Sequence, residues 1–405
     1  MTDFFQNGRI ATLHNLCNRP VEELEADLSR WRHKYPMTLV LPCLYSELEG
    51  PALVNIIEEL SKVPFIDEII IGLDRADSQQ FEEARRFFSR LPQHHVILWN
   101  DGPRLKEIDQ LLSEYGLAPR ELGKGRNVWY CLGYTLASGK AKAVALHDCD
   151  ILTYRRDIVA KLFYPIVHPT FNYVFCKGYY YRAANGKFHG RVTRLLITPL
   201  LHALKKILGN IDYLDFIDSF RYPLAGEFSM IVDVMSSIRI PSDWGLEIGV
   251  LSEVHRRYSD ERVCQVDIAD GYDHKHQELS TGDPEAGLAK MSTDISKSLF
   301  RKLAINGTVF TPEIFRTIKA SYYRIALDMI DRYHNDAVMN GMSLDRHREE
   351  ATVELFTQCV MRAGDQFLHD PMETPFMASW TRVQSAVPDI YSRLLGAVDA
   401  DLNGD

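Results

Sequence analysis

The sequence lacks the segments that would send a chain into or across a membrane. Its N-terminus, MTDFFQNGRIATLHNLCNRP, has no basic start followed by an apolar core, which is the pattern of a secretory signal. The longest apolar stretch, residues 195–208, is interrupted by proline, histidine and lysine and is too short to span a bilayer. We therefore expect a cytoplasmic protein that does not associate with membranes.

The sequence has no paired cysteine pattern, and positive charge does not predominate. The seven cysteines are odd in number, widely spaced and without a C-x-x-C pair, which disfavours a disulfide framework or a zinc ribbon and favours a reducing compartment. The formal net charge of -9 gives the surface no general attraction for nucleic acid or anionic lipid. An anionic substrate would therefore need a local cationic pocket.

The first part of the chain alternates short β-rich runs with helical segments. MTLVLPCLY, IDEIIIGL, HHVILWN and KAVALHDCDIL predict strands, and the segments between them have helical periodicity. This alternation predicts an α/β fold with a mostly parallel central sheet covered on both faces. Ligands of such sheets bind beyond the carboxyl ends of the strands, and acidic or polar residues follow several of these strands.

The same patterns divide the chain into four segments. Residues 1–36 are predicted to be helical, residues 37–155 form the α/β half, and residues 156–283 mix strands, helices and loops. Helical periodicity dominates residues 284–405. We expect this C-terminal extension to pack on the core or on another subunit, and Tyr322, Tyr323, Ile325 and Met329 form one candidate apolar stripe.

The strongest local signal is Asp148-Cys149-Asp150 at the end of an apolar strand. Alternate residues of a strand point to the same side, so both carboxylates can face one ligand while Cys149 faces away. Hard oxygen donors suit Mg²⁺ or Mn²⁺, which would neutralise a diphosphate leaving group. The alternative interpretation is a pair of acidic residues in a solvated turn.

The segment Gly123-Lys124-Gly125 precedes a predicted helix. Glycine permits close approach of a ligand to the backbone, a helix N-terminus favours anions, and Lys124 adds a positive charge. The G-x-x-x-x-G-K-[ST] spacing of a P-loop is absent. An ordinary turn is the alternative, and the position about one helix before the acidic strand favours a binding role.

Basic residues cluster around Gly190-Arg191-Val192-Thr193. Arg191 can hold a phosphate or carboxylate through two hydrogen bonds, and Thr193 offers a hydroxyl. Arg182, Lys187 and Arg194 lie nearby in sequence and would complete a cationic patch. The alternative is the solvated basic face of the following helix.

Asp273-His274-Lys275-His276 contains two histidines, and a histidine can complete a metal site begun by carboxylates. Glu227 in PLAGEF and Glu247 in WGLEIG are flanked by glycine and apolar residues. Each of these two carboxylates could accept a hydrogen bond from a sugar hydroxyl or make a structural hydrogen bond.

Taken in order, seven segments resemble the glucosyl-3-phosphoglycerate and mannosyl-3-phosphoglycerate synthases. The resemblance runs from about residue 38 to residue 280 and rests on LPCLYSE, GKGRNVW, DCD, GRVTRLLITPLL, PLAGE, WGLEIG and HKH. It implies a GT-A-type nucleotide-sugar fold and a retaining hexosyltransferase. It further implies that residues 37–155 bind the nucleotide-sugar, that residues 156–283 bind the acceptor, and that the C-terminal extension could support a homodimer.

The resemblance also assigns residues. Asp150 and His274 would hold Mg²⁺ or Mn²⁺, and Asp150, Glu247, Leu224 and Arg191 would surround the reacting centre. The residues expected to bind substrate are Pro42, Cys43, Leu44, Ser46, Glu47, Asp74, Lys124, Asp148, Cys149, Gly190, Arg191, Val192, Thr193, Trp244, Glu247 and His276. Two of these depart from the family pattern, since Ser46 replaces an acidic residue and His276 replaces an asparagine.

The reaction implied is transfer of a hexose, glucose first, from a nucleoside-diphosphate sugar to 3-phosphoglycerate. Mannosyl transfer, or direct transfer to glycerate, is the alternative within the same chemistry. A sugar nucleotidyltransferase also uses paired carboxylates on an α/β sheet, but it usually has a glycine-rich loop after its first strand, where this chain has LPCLYSE. A non-catalytic scaffold that binds a partner through its C-terminal helices is the remaining alternative.

Overall fold

The fold is built on one large, mostly parallel sheet. The structure is a computed structural model that describes residues 6, 8–184, 186–274, 287–372 and 376–403. Its sheet strands are β1 Ala11–Leu13, β2 Met37–Leu44, β3 Glu68–Asp74, β4 His94–Trp99, β5 Ala143–Leu146, β6 Phe175–Tyr180, β9 Phe228–Ile231 and β10 Val263–Ala269. They lie in the order β1-β10-β6-β9-β5-β2-β3-β4, and β7 Ala183–Ala184 and β8 Lys187–Phe188 form a separate two-stranded sheet. Strand β9 is antiparallel to β5 and β6, and the other pairs are parallel.

Helices cover both faces of this sheet because its central strands are apolar on both sides. In β2, Val40 packs into one apolar layer while Leu39 and Leu41 pack into the other. The helices in and around the sheet are α1 Val21–Trp31, α2 Pro51–Leu60, α3 Ser78–Phe88, α4 Pro103–Glu114, α5 Lys124–Ser138, α6 Asp157–Val167, α7 Thr198–Leu208, α8 Asp212–Asp218, α9 Val232–Ser237 and α10 Leu246–Arg257. This architecture confirms the α/β fold class with a mostly parallel sheet.

The N-terminal segment is not entirely helical, and in this respect the sequence prediction was wrong. Helix α1 is present, but β1 precedes it and pairs in parallel with β10, with Ala11 opposite Cys264. Three residues are too few to display strand alternation. The partner strand also lies about 250 residues away, where no local pattern indicates it.

In the described residues after 286, the named elements of the C-terminal extension are all helices. Its helices are α11 Gly287–Ile305, α12 Pro312–Met339, α13 Arg346–His369, α14 Trp380–Ala386 and α15 Ile390–Asn403. The Trp380 ring stacks on the Trp129 ring with centroids 4.3 Å apart, and the Trp380 indole N–H donates to the Trp129 carbonyl at 2.8 Å. Within the predicted stripe, Tyr322 and Met329 are buried in the core of this same chain. The extension therefore packs on the α/β core.

Two further features are the apolar character of the helices and the state of the cysteines. Among the described residues, no helix combines the length and the apolar character that a membrane crossing requires. All seven cysteines lie in the described part of the chain and are free thiols, and six of them are buried.

Candidate active site

The carboxyl ends of the central strands meet at one edge of the sheet. Leu44 at the end of β2 is paired with Asp74 at the end of β3, and Val40 is paired with Leu146, the last residue of β5. Asp148 and Asp150 follow β5 immediately. The parallel register therefore brings the first predicted loop, Asp74 and the acidic pair to the same edge, as the sequence indicated.

Lys124 lies between two carboxylates at this edge. Its Nζ is 2.6 Å from Asp148 Oδ1 and 3.0 Å from Glu247 Oε1. Burial alone would raise the pKa of Asp148, but the Lys124 ammonium outweighs it and lowers that pKa below its usual value. Burial likewise opposes the charge of Lys124, and the two carboxylates outweigh it and raise the Lys124 pKa. Lys124 and Asp148 are therefore both charged at neutral pH.

The glycines around Lys124 serve packing within the protein rather than ligand approach, which corrects the sequence interpretation. A Cβ atom at Gly125 would lie 2.1 Å from the Pro241 carbonyl oxygen, and one at Gly123 would lie 2.8 Å from the Ser242 oxygen. Gly226 plays a similar part, since its Cβ would lie 2.4 Å from Asp148 Oδ2. These close approaches allow loop 241–242 to lie against the start of α5 and allow Asp148 to pack on residue 226.

Asp150 and His274 meet, although 124 positions separate them in the chain. His274 Nδ1 lies 3.3 Å from Asp150 Oδ2, and both side chains are partly exposed. A short antiparallel bridge joins Ile151 to His274, and the Leu152 amide donates to the Asp273 carbonyl at 2.8 Å. The structure thus brings the two predicted metal ligands together. His276 lies outside the described residues.

A buried polar layer lies directly beneath these groups. Glu227 accepts hydrogen bonds from the hydroxyls of Tyr180 and Tyr272 at 2.7 and 2.6 Å, and the two tyrosine rings stack. Burial, with repulsion from Asp148, raises the pKa of Glu227. Lys177 is 1% exposed, and its ammonium donates to the Ala225 carbonyl. Glu227 is therefore held by structural hydrogen bonds, one of the two alternatives that its sequence context left open.

The predicted acceptor segment forms an unusual turn. A short hairpin of β7 Ala183–Ala184 and β8 Lys187–Phe188 leads to Gly190, whose φ of +69° favours glycine. Residues 192–197 then form a wide π-helical turn in which the Thr198 amide donates to the Thr193 carbonyl. Such turns are frequent at functional sites. Val192 and Thr193 lie in this turn, immediately after Arg191.

Arg191 does not project into bulk solvent, because a carboxylate from the C-terminal extension holds it. Arg191 Nε lies 2.9 Å from Glu349 Oε1, and Arg194 Nη1 lies 2.8 Å from Glu349 Oε2. The sequence reasoning missed Glu349. A signal was nevertheless present, since Glu349 shares the buried face of α13 with Val353 and Phe356 at helical spacing.

The other predicted residues differ in what they offer a ligand. Asp74 is partly exposed, accepts a 2.8 Å hydrogen bond from the Asn100 amide, and has a pKa raised by burial. Cys43 and Cys149 are buried in the apolar core, so only their backbone could contact a substrate. The remaining residues lie in surface or partly buried positions, namely Pro42, Leu44, Ser46, Glu47, Leu224 and Trp244.

The described residues hold no group of three or more histidine, cysteine, aspartate or glutamate side chains suited to a metal ion. Asp150 and His274 nevertheless offer an oxygen and a nitrogen donor at one point of the site. This pair suits a divalent cation that takes its other ligands from a bound substrate and water, with Mn²⁺ accepting imidazole more readily than Mg²⁺ does.

Curated proteins match the whole chain. It is 44% identical over 405 residues, covering 100% of both chains, to a glucosyl-3-phosphoglycerate synthase of Persephonella marina. It is 39% identical over 404 residues, covering 99% of this chain and 98% of the relative, to the protein of the same name from Methanococcoides burtonii. No family model matches the chain.

Solved structures share the fold. A glucosyl-3-phosphoglycerate synthase of Mycobacterium tuberculosis, in complex with Mn²⁺, UDP-glucose and phosphoglyceric acid, superposes with a TM-score of 0.54 at 22% identity, covering 73% of this chain and 88% of that one. The mannosyl-3-phosphoglycerate synthase of Rubrobacter xylanophilus gives a TM-score of 0.53 at 22% identity, covering 71% and 81%. This likeness confirms the predicted GT-A-type fold.

Proposed function

Because the chain belongs to the glucosyl-3-phosphoglycerate synthase family, we propose that it transfers glucose from UDP-glucose to 3-phosphoglycerate. The product is glucosyl-3-phosphoglycerate, and the anomeric configuration of glucose is retained. The full-length identity to two relatives of this name supports the choice of glucose, and the charged groups at the sheet edge support the chemistry.

The donor side of the site is the edge formed by the ends of β2, β3 and β5. We assign the diphosphate and ribose of the nucleotide-sugar to Lys124 and Asp148, and the base to Asp74, which is paired with Leu44 at the start of the first loop. Glu247, in contact with Lys124, is placed to accept hydrogen bonds from hydroxyls of the transferred sugar.

Asp150 and His274 would hold the divalent ion, Mg²⁺ or Mn²⁺. When bound, such an ion neutralises charge that develops on the diphosphate leaving group. Asp150 lies near the end of residues 37–155, and His274 lies near the end of residues 156–283. The proposed donor half, residues 37–155, and the proposed acceptor half, residues 156–283, therefore both contribute to this part of the site.

The acceptor side is the turn that begins at Gly190. We assign the phosphate and carboxylate of 3-phosphoglycerate to the backbone of Gly190, the guanidinium of Arg191 and the hydroxyl of Thr193. In the reaction, the acceptor hydroxyl oxygen bonds to the anomeric carbon while the bond from that carbon to the diphosphate oxygen breaks. The hydroxyl proton passes to the departing diphosphate, so the protein contributes positioning and charge neutralisation.

The observation that carries this proposal is the contact between Asp150 and His274. It joins the acidic pair after β5 to a histidine from the far end of the α/β region, beside the Lys124 ion pairs. An ordinary solvated turn would not require such a contact.

A radiolabel transfer screen tests the proposal. Purified protein is incubated with Mn²⁺ or Mg²⁺ and with UDP-, GDP- or ADP-glucose, or the mannose equivalents, and either 3-phosphoglycerate or glycerate is the acceptor. We expect UDP-glucose with 3-phosphoglycerate to give the highest rate, and proton NMR of the product to show a retained anomer. Transfer only from a mannose donor, or transfer only to glycerate, would contradict the proposal.

We further propose that the chain works in the cytoplasm as a homodimer. Seven free thiols support a reducing compartment. The exposed side chains of Val338 and Met339 at the end of α12 support a contact between subunits. Light scattering of the purified protein measures the oligomeric state, and a monomer mass across the micromolar range would remove the dimer from the proposal.

A further inference from the structure

Glu349 is a buried carboxylate that the proposed reaction does not itself require. It lies in the first turn of α13, far from the sheet edge in sequence, and it is 3% exposed. Both of its oxygens are used, one by Arg191 Nε at 2.9 Å and the other by Arg194 Nη1 at 2.8 Å. One carboxylate thus connects two arginines of the acceptor turn to the C-terminal extension.

The two arginines are held differently. Arg194 is buried, its Nε donates to the His189 carbonyl at 2.9 Å, and its guanidinium lies 4.8 Å from the centre of the Tyr333 ring. Arg191 is partly exposed, and Glu349 is its described ion-pair partner. Arg194 therefore fixes Glu349, and Glu349 in turn fixes Arg191.

This arrangement determines which donors Arg191 can present. A guanidinium has five N–H groups in a rigid plane. With Nε directed at Glu349, the four N–H groups of the two terminal nitrogens are the ones that can face an anion. The carboxylate also offsets one of two neighbouring positive charges, so the three side chains together keep a net charge of +1, which attracts an anionic acceptor.

The helices of the extension also support the backbone of this turn. The Tyr322 hydroxyl in α12 donates to the Leu195 carbonyl at 2.7 Å, within the π-helical turn. The Ser343 amide, in the loop between α12 and α13, donates to the Gly186 carbonyl at 2.9 Å in the preceding hairpin. The extension therefore contacts the acceptor turn on both sides of Arg191.

We propose that Glu349 is a positioning residue for the acceptor. It orients the Arg191 guanidinium so that its terminal nitrogens hold the phosphate of 3-phosphoglycerate, and it thereby gives the C-terminal extension a part in acceptor recognition. This inference rests on the proposed function, because it assumes that Arg191 binds the phosphorylated acid.

The test compares Glu349→Gln with Glu350→Gln, a matched change at the exposed neighbouring position on the same helix. For Glu349→Gln we expect the KM for 3-phosphoglycerate to rise on the order of tenfold, as for loss of one charge-assisted contact. The KM for UDP-glucose should stay within about twofold, since the donor side does not involve α13. Glu350→Gln should leave both constants at the wild-type values.

A double-mutant cycle with Arg191→Ala separates positioning from general structural damage. If Glu349 acts through Arg191, adding Glu349→Gln to Arg191→Ala should raise the acceptor KM little further. Should Glu349→Gln fail to fold, Glu349→Asp keeps the charge but withdraws the carboxylate, and the same criteria apply. An acceptor KM that is unchanged or lowered, an equal rise in both KM values, or additive effects in the cycle would overturn the inference.

Calorimetric binding of 3-phosphoglycerate to wild type and Glu349→Gln distinguishes failure of the proposed function from failure of the proposed role of Glu349. If the wild type binds 3-phosphoglycerate but transfers no sugar, the proposed function fails, and the ratio of the two dissociation constants still decides the role of Glu349. If the wild type transfers glucose and Arg191→Ala weakens the acceptor but Glu349→Gln does not, the inference fails and the function stands. If the wild type does not bind this acid, the proposed function and the proposed role of Glu349 are both wrong.

Discussion

Lys124→Met removes the positive charge between two carboxylates, and the structure indicates what this should cost. In the wild type, the ammonium contacts Asp148 and Glu247 at 2.6 and 3.0 Å. Methionine keeps a similar volume, so the main loss is the charge. Both carboxylates would then lie close together at a largely buried site without the ammonium that pairs directly with each of them.

Removing one member of a buried ion pair typically costs about 3–5 kcal/mol. Because the Asp148 side chain keeps 30% of its exposure, water can screen part of its charge, and we expect a cost near the lower end, about 3 kcal/mol. Unfolding entropy is about 2.1 cal/mol/K per residue, or roughly 0.9 kcal/mol/K for this chain of 405 residues. The melting temperature should therefore fall by about 3–4 °C.

The assay is a thermal melt followed by circular dichroism at pH 7.5, with Lys142→Met as the matched control because Lys142 is exposed. The control should melt within about 1 °C of the wild type, in keeping with a surface substitution. Glucosyl transfer by Lys124→Met should also fall, since the charge expected beside the diphosphate is gone. A melting temperature equal to that of the control would show that the Lys124 ion pairs contribute no net stability and would refute the reasoning.

Three further predictions follow from other features. Asp150→Asn should abolish Mn²⁺ binding, measured by calorimetry, and glucosyl transfer with it. The control Asp233→Asn, at an exposed position, should change neither. Metal binding that persists in Asp150→Asn would contradict the ligand assignment. Burial lowers the pKa of Lys177 to about 8 from 10.5. Between these two pH values the unfolded chain therefore binds more protons than the folded chain does. The free energy of unfolding should consequently rise with pH, by up to about 3 kcal/mol. Urea denaturation at pH 8 and pH 10 should show this rise in the wild type and a smaller one in Lys177→Met, and equal rises would contradict the assignment. Gly133→Ala should destabilise the protein by about 1–3 kcal/mol, because its Cβ would lie 2.0 Å from the Trp380 ring; an unchanged urea midpoint would mean that α14 shifts at no cost.

Several features could be predicted from the sequence because their signals are local. The strand that precedes Asp148 and Asp150 is a short, wholly buried apolar run, and the elements around it alternate between strand and helix. Parallel strands align their carboxyl ends, so the site could be assigned to one sheet edge before any coordinates were known. The observed sheet confirms the fold class, and the full-length identity to two relatives confirms the family.

Other features escaped prediction because short or polar segments carry weak local signals. Strand β1 has only three residues, and its partner is distant in sequence. The glycines beside Lys124 were assigned to ligand approach, whereas they make room for the backbone at residues 241–242. A glycine can indicate that another group packs closely against the backbone, but the residues next to it in the sequence do not identify that group.

The sequence by itself determined the order of elements, the edge at which polar residues collect, and the kinds of side chain available for metal and anion binding. Only the tertiary structure decided the partners: Glu247 for Lys124, His274 for Asp150, and Glu349 for Arg191, at separations of 123, 124 and 158 residues. Periodicity records which face of an element is buried. It does not record which distant element covers that face, because the partner is set by how the helices and the sheet pack against one another.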